Sequence, residues 1–315
     1  MERQGPTGTR ASRGWPRAAG LLGVVLATSV VVPTLPWVLL GVPLAMLLAA
    51  SRARGYGLLA AVALAVLLFV PGPKDGIWFA ERAWAVLVGG AFIALTMAVP
   101  RWGLGSRAIA SVALATTVLA VLLSLRAGAW ETLDALVAGR ARELADAMLD
   151  TMSLASGADA VTPPVIATFL GFAELQTAIF PAMVAIASMA ALAVAWWMRT
   201  RLAGGGDQAI GPLREFRFND HLVWLLVLGL FLVVAQWGDA LARVGSNAVV
   251  FMGALYVLRG AAVLAFLTGG ISLVGYVMLA LVLLLAWPVI VGVTGLIGIG
   301  DTWLDLRSKG GEKPA

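Results

Sequence analysis

Nine apolar runs dominate this 315-residue chain: Ala18–Val32, Trp37–Ala50, Leu58–Val70, Trp78–Val99, Ile109–Leu125, Val165–Met198, Leu222–Gln236, Ala248–Leu267 and Ile271–Ile299. A membrane-spanning helix needs about 20 such residues, with a range of about 17–25. Backbone dissolved in hydrocarbon must satisfy its own N–H and C=O groups, which leaves helices or closed barrels. The runs are continuous and do not alternate over segments of about ten residues, which excludes a barrel. Only 12% of the residues are charged and 61% are hydrophobic, whereas soluble domains carry about 25% charged residues. The chain is therefore expected to be all-α, a polytopic transmembrane helical bundle.

Several early runs fall short of a crossing, and Pro33, Pro36 and Pro43 interrupt the first stretch. Val165–Met198 and Ile271–Ile299 exceed one straight crossing, and Pro181 and Pro288 mark kinks within them. About eight spans result, within a range of about seven to ten. Residues 18–300 read as a single transmembrane domain, preceded by a basic, disordered tail (1–17) and followed by a polar one (301–315). Arg10, Arg13 and Arg17 place the N-terminus on the cytoplasmic side of a bacterial inner membrane. Arg199, Arg201, Arg214 and Arg217 mark another cytoplasmic loop. Between the fifth and sixth runs, residues 129–152 form an amphipathic helix with Leu133, Leu136, Val137, Leu144, Met148 and Met152 on its apolar face. It lies on the membrane surface or packs on the bundle; a lid over a cavity is the alternative.

The residues present narrow the chemistry. There is no cysteine and one histidine, His221, so disulfides, thiolate catalysis and Cys-ligated metals are excluded. The net charge of +5 fits lipid headgroups and basic loops, with no nucleic-acid partner. No nucleotide-binding loop, metalloprotease helix or nucleophile elbow occurs, so no catalytic residue, metal site or cofactor is assigned and an enzyme is not expected. Ionisable groups within spans are costly and mark paired or solvated interior positions. Arg259 lies in mid-span beside Tyr256 and Gly260, and Glu174 lies inside the long run before Pro181. Glu174 and Arg259 are expected to face a common interior, as a buried ion pair or as the lining of a small-molecule pocket with Tyr256 and Asn247. Asn247 also reads as a helix N-cap. Gly253 and Gly260 fall on nearly one face, as close helix packing requires.

From Pro212 onward the ordered set PLREFRFNDHLVW, Asn247, YVLRG, Pro288 and GLIGIGDTWLDLR resembles the YybS-like family of bacterial integral membrane proteins. That resemblance covers roughly the last hundred residues. It implies a second half similar to the substrate-binding S components of energy-coupling factor transporters, a group to which the rod-shape protein MreD is distantly similar. The partners it implies are the bilayer and either another membrane protein or an energising transporter module, docked through small-residue helix faces. Two function readings follow: a small-molecule-binding subunit of transport type, and a non-transporting scaffold of the cell envelope. Asp301 and Asp305, one turn apart, are expected to face Arg214 and Arg217, with Arg307 at the membrane exit. That set reads as a structural latch, with partner docking and a cation site as alternatives.

Overall fold

Chains whose apolar stretches must close their own hydrogen bonds fold as helices, and the computed structural model, which describes residues 35–50, 54–69, 76–203, 215–268 and 273–311, is helical with no strand among them. The elements are α1 (Leu35–Ala49), α2 (Arg54–Phe69), α3 (Gly76–Ala98), α4 (Leu104–Ser124), α5 (Ala129–Ser156), α6 (Pro163–Ala203), α7 (Val223–Ala235), α8 (Asp239–Leu267), α9 (Leu273–Leu304) and α10 (Leu306–Gly311). Among the described residues, four apolar stretches are long enough to cross a membrane: Gly76–Ala98, Leu104–Ser124, Pro163–Thr200 and Asp239–Leu267. Four shorter apolar helices accompany them, at Val38–Ala49, Ala60–Phe69, Asp220–Ala235 and Pro288–Leu304. The expected basic tail and first run, and Arg214, lie outside the described residues.

The chain divides into two compact units. The first holds residues up to Thr177 together with Ala187–Ile210, and the second holds Ala178–Ile186 and everything from Gly211. Residues 301–311, expected to be part of a polar tail, instead complete α9 and form α10.

In the first unit, α1 packs on α2 and α3, and α3 packs on α4. Val38, Leu39, Val42, Leu67 and Ala85 form a buried cluster with Ala191 of α6. Arg82 of α3 is buried, and its Nε donates to the Leu67 carbonyl at 3.2 Å. That carbonyl is one of the last four of α2, which have no partner within their own helix, so the arginine serves as a C-terminal cap. The amphipathic helix α5 is present, and its packed face overlaps the expected one: Val137 is buried, Leu133, Leu136 and Met152 are half-buried, and Leu136 lies against Gly76 of α3. Val137, Ala141 and Ala145 are the buried line, with Ala141 and Ala145 against Ala173 and Phe169 of α6, whereas Leu144 and Met148 are exposed. Small side chains let two helices approach closely in a membrane, where apolar bulk gives no advantage over lipid.

In the second unit, α7 and α8 form an antiparallel pair joined through Gln236–Gly238, both ends of which have positive φ. A Cβ on Gly245 would stand 2.7 Å from the Gly229 carbonyl, so the pair makes backbone contact. α9 kinks at Ala286 (φ −135°, ψ 33°), two residues before Pro288, because a proline ring clashes with the preceding turn. Beyond the kink, α9 rides directly on α8: a Cβ on Gly260 would overlap the Thr294 carbonyl, and one on Gly298 the Tyr256 carbonyl. Gly253 does not share this role, since nothing among the described residues lies within 4 Å of its Cβ position.

Candidate functional site

The Gly260–Gly298 contact decides what happens one turn further along α9. Asp301 follows Gly298 by three residues, which is nearly one helical turn, and so arrives beside Arg259. Both are buried, with side-chain exposures of 2% for Arg259 and 0% for Asp301. Arg259 Nε donates to Asp301 Oδ2 at 2.9 Å, and its Nη2 donates to the Asp301 carbonyl at 3.3 Å. The guanidinium also lies 5.4 Å from the Phe218 ring centroid, and Phe218 meets Tyr256 edge to face at 5.3 Å.

Asp301 carries a second arginine. Arg307 Nη2 donates to the same Oδ2 at 2.8 Å, and Nη1 donates to the Phe216 carbonyl at 3.0 Å. Six residues of straight helix rotate a side chain through about 240° at 3.6 residues per turn, too far for this contact. Asp305 makes it feasible: its φ is +40°, a left-handed conformation that Asp tolerates better than most residues. It ends α9 and turns α10 back, so that Arg307 returns to Asp301. Asp305 itself points outward and accepts from Arg217 Nη2 at 2.7 Å, with both side chains about half exposed.

Arg259 and Arg307 against Asp301 leave one positive charge in the buried part, and Asp220 supplies the balancing carboxylate. Its Oδ1 accepts from Arg259 Nη1, while the Asp220 side chain is 62% exposed. The position of Asp220 is set by Asn219, whose side chain accepts from the His221 N–H at 3.0 Å and caps the short 3-10 turn Asp220–Leu222. Asp301 Oδ1 is buried without a hydrogen-bond partner among the described residues, and the buried Tyr256 and Thr302 hydroxyls lie near each other. Among the described residues no group of three His, Asp or Glu side chains converges as a metal site requires.

The expected site residues separate accordingly. Arg259, Tyr256, Asp301 and Arg307 come together, and Arg217 meets Asp305. Asp301 and Asp305 do not share a helix face, because the helix ends between them. The acidic partners of Arg259 are Asp220 and Asp301; Glu174 is an exposed residue of the first unit. Asp220 was not singled out by the sequence. Its one sequence signal is Asn219 before it, an amide at the start of a helical turn.

Asn247 is not an N-cap, since α8 begins two turns earlier at Asp239. Its carboxamide binds α6 at Pro181: Oδ1 accepts from the Ala182 N–H and Nδ2 donates to the Ala178 carbonyl, both at 2.8 Å. In a regular helix those two backbone groups bond to each other. Replacing Asn247 by Leu is expected to cost about 1–3 kcal/mol, the desolvation penalty of buried groups left unpaired. Hydrogen exchange at the Ala182 amide should accelerate in step, and an unchanged rate there would sink the assignment.

Several helices of this length and apolarity, with a buried charged cluster among them, define a multi-pass integral membrane protein. The chain belongs to the family of predicted membrane proteins known as DUF2232, whose model matches residues 20–302. No curated protein and no solved structure matches it.

Proposed function

We propose that this protein is a non-transporting membrane scaffold of the bacterial cell envelope, similar in kind to MreD, in which the Arg259 cluster is an internal latch. The supporting observation is that the cluster closes on itself. Three arginines (Arg217, Arg259, Arg307) meet three carboxylates (Asp220, Asp301, Asp305), all from the second unit. A solute pocket of the same residues would need a charge or donor left open to its ligand, and each of these guanidiniums is engaged with a carboxylate of the chain. The latch ties the segment before α7 to the end of α9 and so holds the α8–α9 frame on which another membrane protein would dock.

The second reading is the transport-type, small-molecule-binding subunit similar to an S component. The unpartnered Oδ1 of Asp301, buried in the same region as the Tyr256 and Thr302 hydroxyls, favours it, because buried polar groups normally find partners. Native mass spectrometry of the protein in mild detergent, beside an Arg259→Ala variant, separates the two. On the scaffold reading no solute co-purifies with either protein and the variant is simply less stable. A defined small molecule present in the parent and absent from the variant overturns it in favour of the transport-type subunit.

A further inference from the structure

The first unit holds a second arginine cluster, and this one is open. Arg107 lies in the first turn of α4 and is 8% exposed. Arg199 lies at the end of the apolar stretch Pro163–Thr200 of α6. Their guanidiniums lie 4.9 and 4.7 Å from the ring centroid of Trp196, itself 1% exposed. Two guanidiniums that share one indole repel each other. The Nε atoms of both are buried without a hydrogen-bond partner, and among the described residues neither side chain has a carboxylate. Arg199 as a whole is half-buried; among the described residues the other arginines as buried as Arg107 are provided for by the chain, Arg82 by carbonyls and Arg259 and Arg307 by Asp301.

A cation–π contact with Trp is worth about 0.5–2 kcal/mol, well below the several kcal/mol that each desolvated, unpaired ion costs. Two such cations on one indole require an anion that answers both. Guanidinium forks match phosphate oxygens bidentately, and a phosphate has enough oxygens to accept from two arginines at once. The depth fits as well. The start of α4 and the end of the α6 stretch are span termini, where phosphate groups of the bilayer lie, and the exposed Arg101 and Trp102 just before α4 are of the kind that anchors a helix at this level. The basic residues following Arg199 assign this end to the cytoplasmic side, where anionic lipids concentrate.

We infer that Arg107 and Arg199, on the face of Trp196, form a phosphate-binding site at one membrane interface, filled by a lipid headgroup or by free phosphate. Native mass spectrometry of the delipidated full chain, titrated with phosphatidylglycerol or phosphatidylcholine, tests the first source. Thermal unfolding in sodium phosphate against sodium chloride at matched ionic strength tests the second. One phosphatidylglycerol should bind in preference to phosphatidylcholine, or phosphate should raise the melting temperature where chloride does not. The apparent affinity for the effective probe should fall about tenfold in Arg107→Gln and again in Arg199→Gln, as the loss of one charge-assisted contact each implies. Arg101→Gln, in the exposed turn beside them, should leave it unchanged. A lipid effect alone assigns the headgroup, and a phosphate effect alone assigns the free anion. The inference is overturned if neither probe distinguishes the parent from a folded double variant. Should the double variant fail to fold, the parent decides: no preference for phosphatidylglycerol and no response to phosphate overturns it.

Discussion

Asp301→Asn is expected to destabilise the second unit by about 3–5 kcal/mol, the usual cost of removing one partner from a buried ion pair. Asparagine keeps the shape of the side chain, so packing is not the variable. What changes is that Arg259 and Arg307, 2% and 5% exposed, lose the carboxylate they share and face each other. Asp220 remains, but it is largely exposed and reaches only Arg259. Unfolding in mild detergent, followed by helical circular dichroism, should show the loss directly. Charge balance also orders a set of variants. Arg307→Gln should cost less than Asp301→Asn, because Arg259 keeps its buried carboxylate. The double variant Asp301→Asn with Arg307→Gln should recover part of the loss, because Arg259 then faces Asp220 without a competing cation. If Asp301→Asn unfolds with the parent, or the double variant loses the sum of the two singles, the shared-carboxylate latch is wrong.

Why Asp301 could be flagged from sequence but not correctly paired is a matter of range. Continuous apolar runs report the helical membrane class unambiguously, since hydrocarbon leaves the backbone so few options. Pro288 announced its kink, and Arg259 announced a buried partner because a mid-span arginine cannot stay alone. The identity of that partner depends on which helices touch, and in lipid that choice rests on single glycines. Gly253 and Gly260 look alike in sequence, yet only Gly260 has a neighbouring backbone against it. The pairing of Asp301 with Arg307 depends further on one left-handed residue, Asp305. A run of letters that reads as continuous helix gives no sign of that break. On α5, the large apolar residues marked only part of the packed face: Val137 is buried with Ala141 and Ala145, whereas Leu144 and Met148 are exposed. Hydrophobic periodicity carries less information about protein contacts where the solvent is itself apolar. Arg107 went unnoticed because it precedes an apolar run and looks like a basic flank.

Gly260→Val should be the most disruptive single change in the second unit. The added carbons would occupy the position of the Thr294 carbonyl, with the Gly298 amide nitrogen also in contact. Backbone atoms cannot rotate aside as the tip of a flexible side chain can, so α8 and α9 must separate. Separation withdraws Asp301 from Arg259, and the variant loses the backbone contact and the latch together. Its cost is therefore expected to exceed the roughly 3–5 kcal/mol of a broken buried pair, enough to consume most of the about 5–15 kcal/mol that keeps a typical protein folded. Gly253→Val, two turns earlier on the same helix, meets nothing among the described residues within 4 Å and should stay within about 0.5 kcal/mol of the parent, as substitutions away from packed features do. The comparison holds residue type, helix and membrane environment fixed and varies only the neighbour. Yield of monodisperse protein and its melting temperature in one detergent read both variants. Equal behaviour of the two would mean that α8 and α9 do not approach through Gly260, and the route by which Asp301 reaches Arg259 would fall with it.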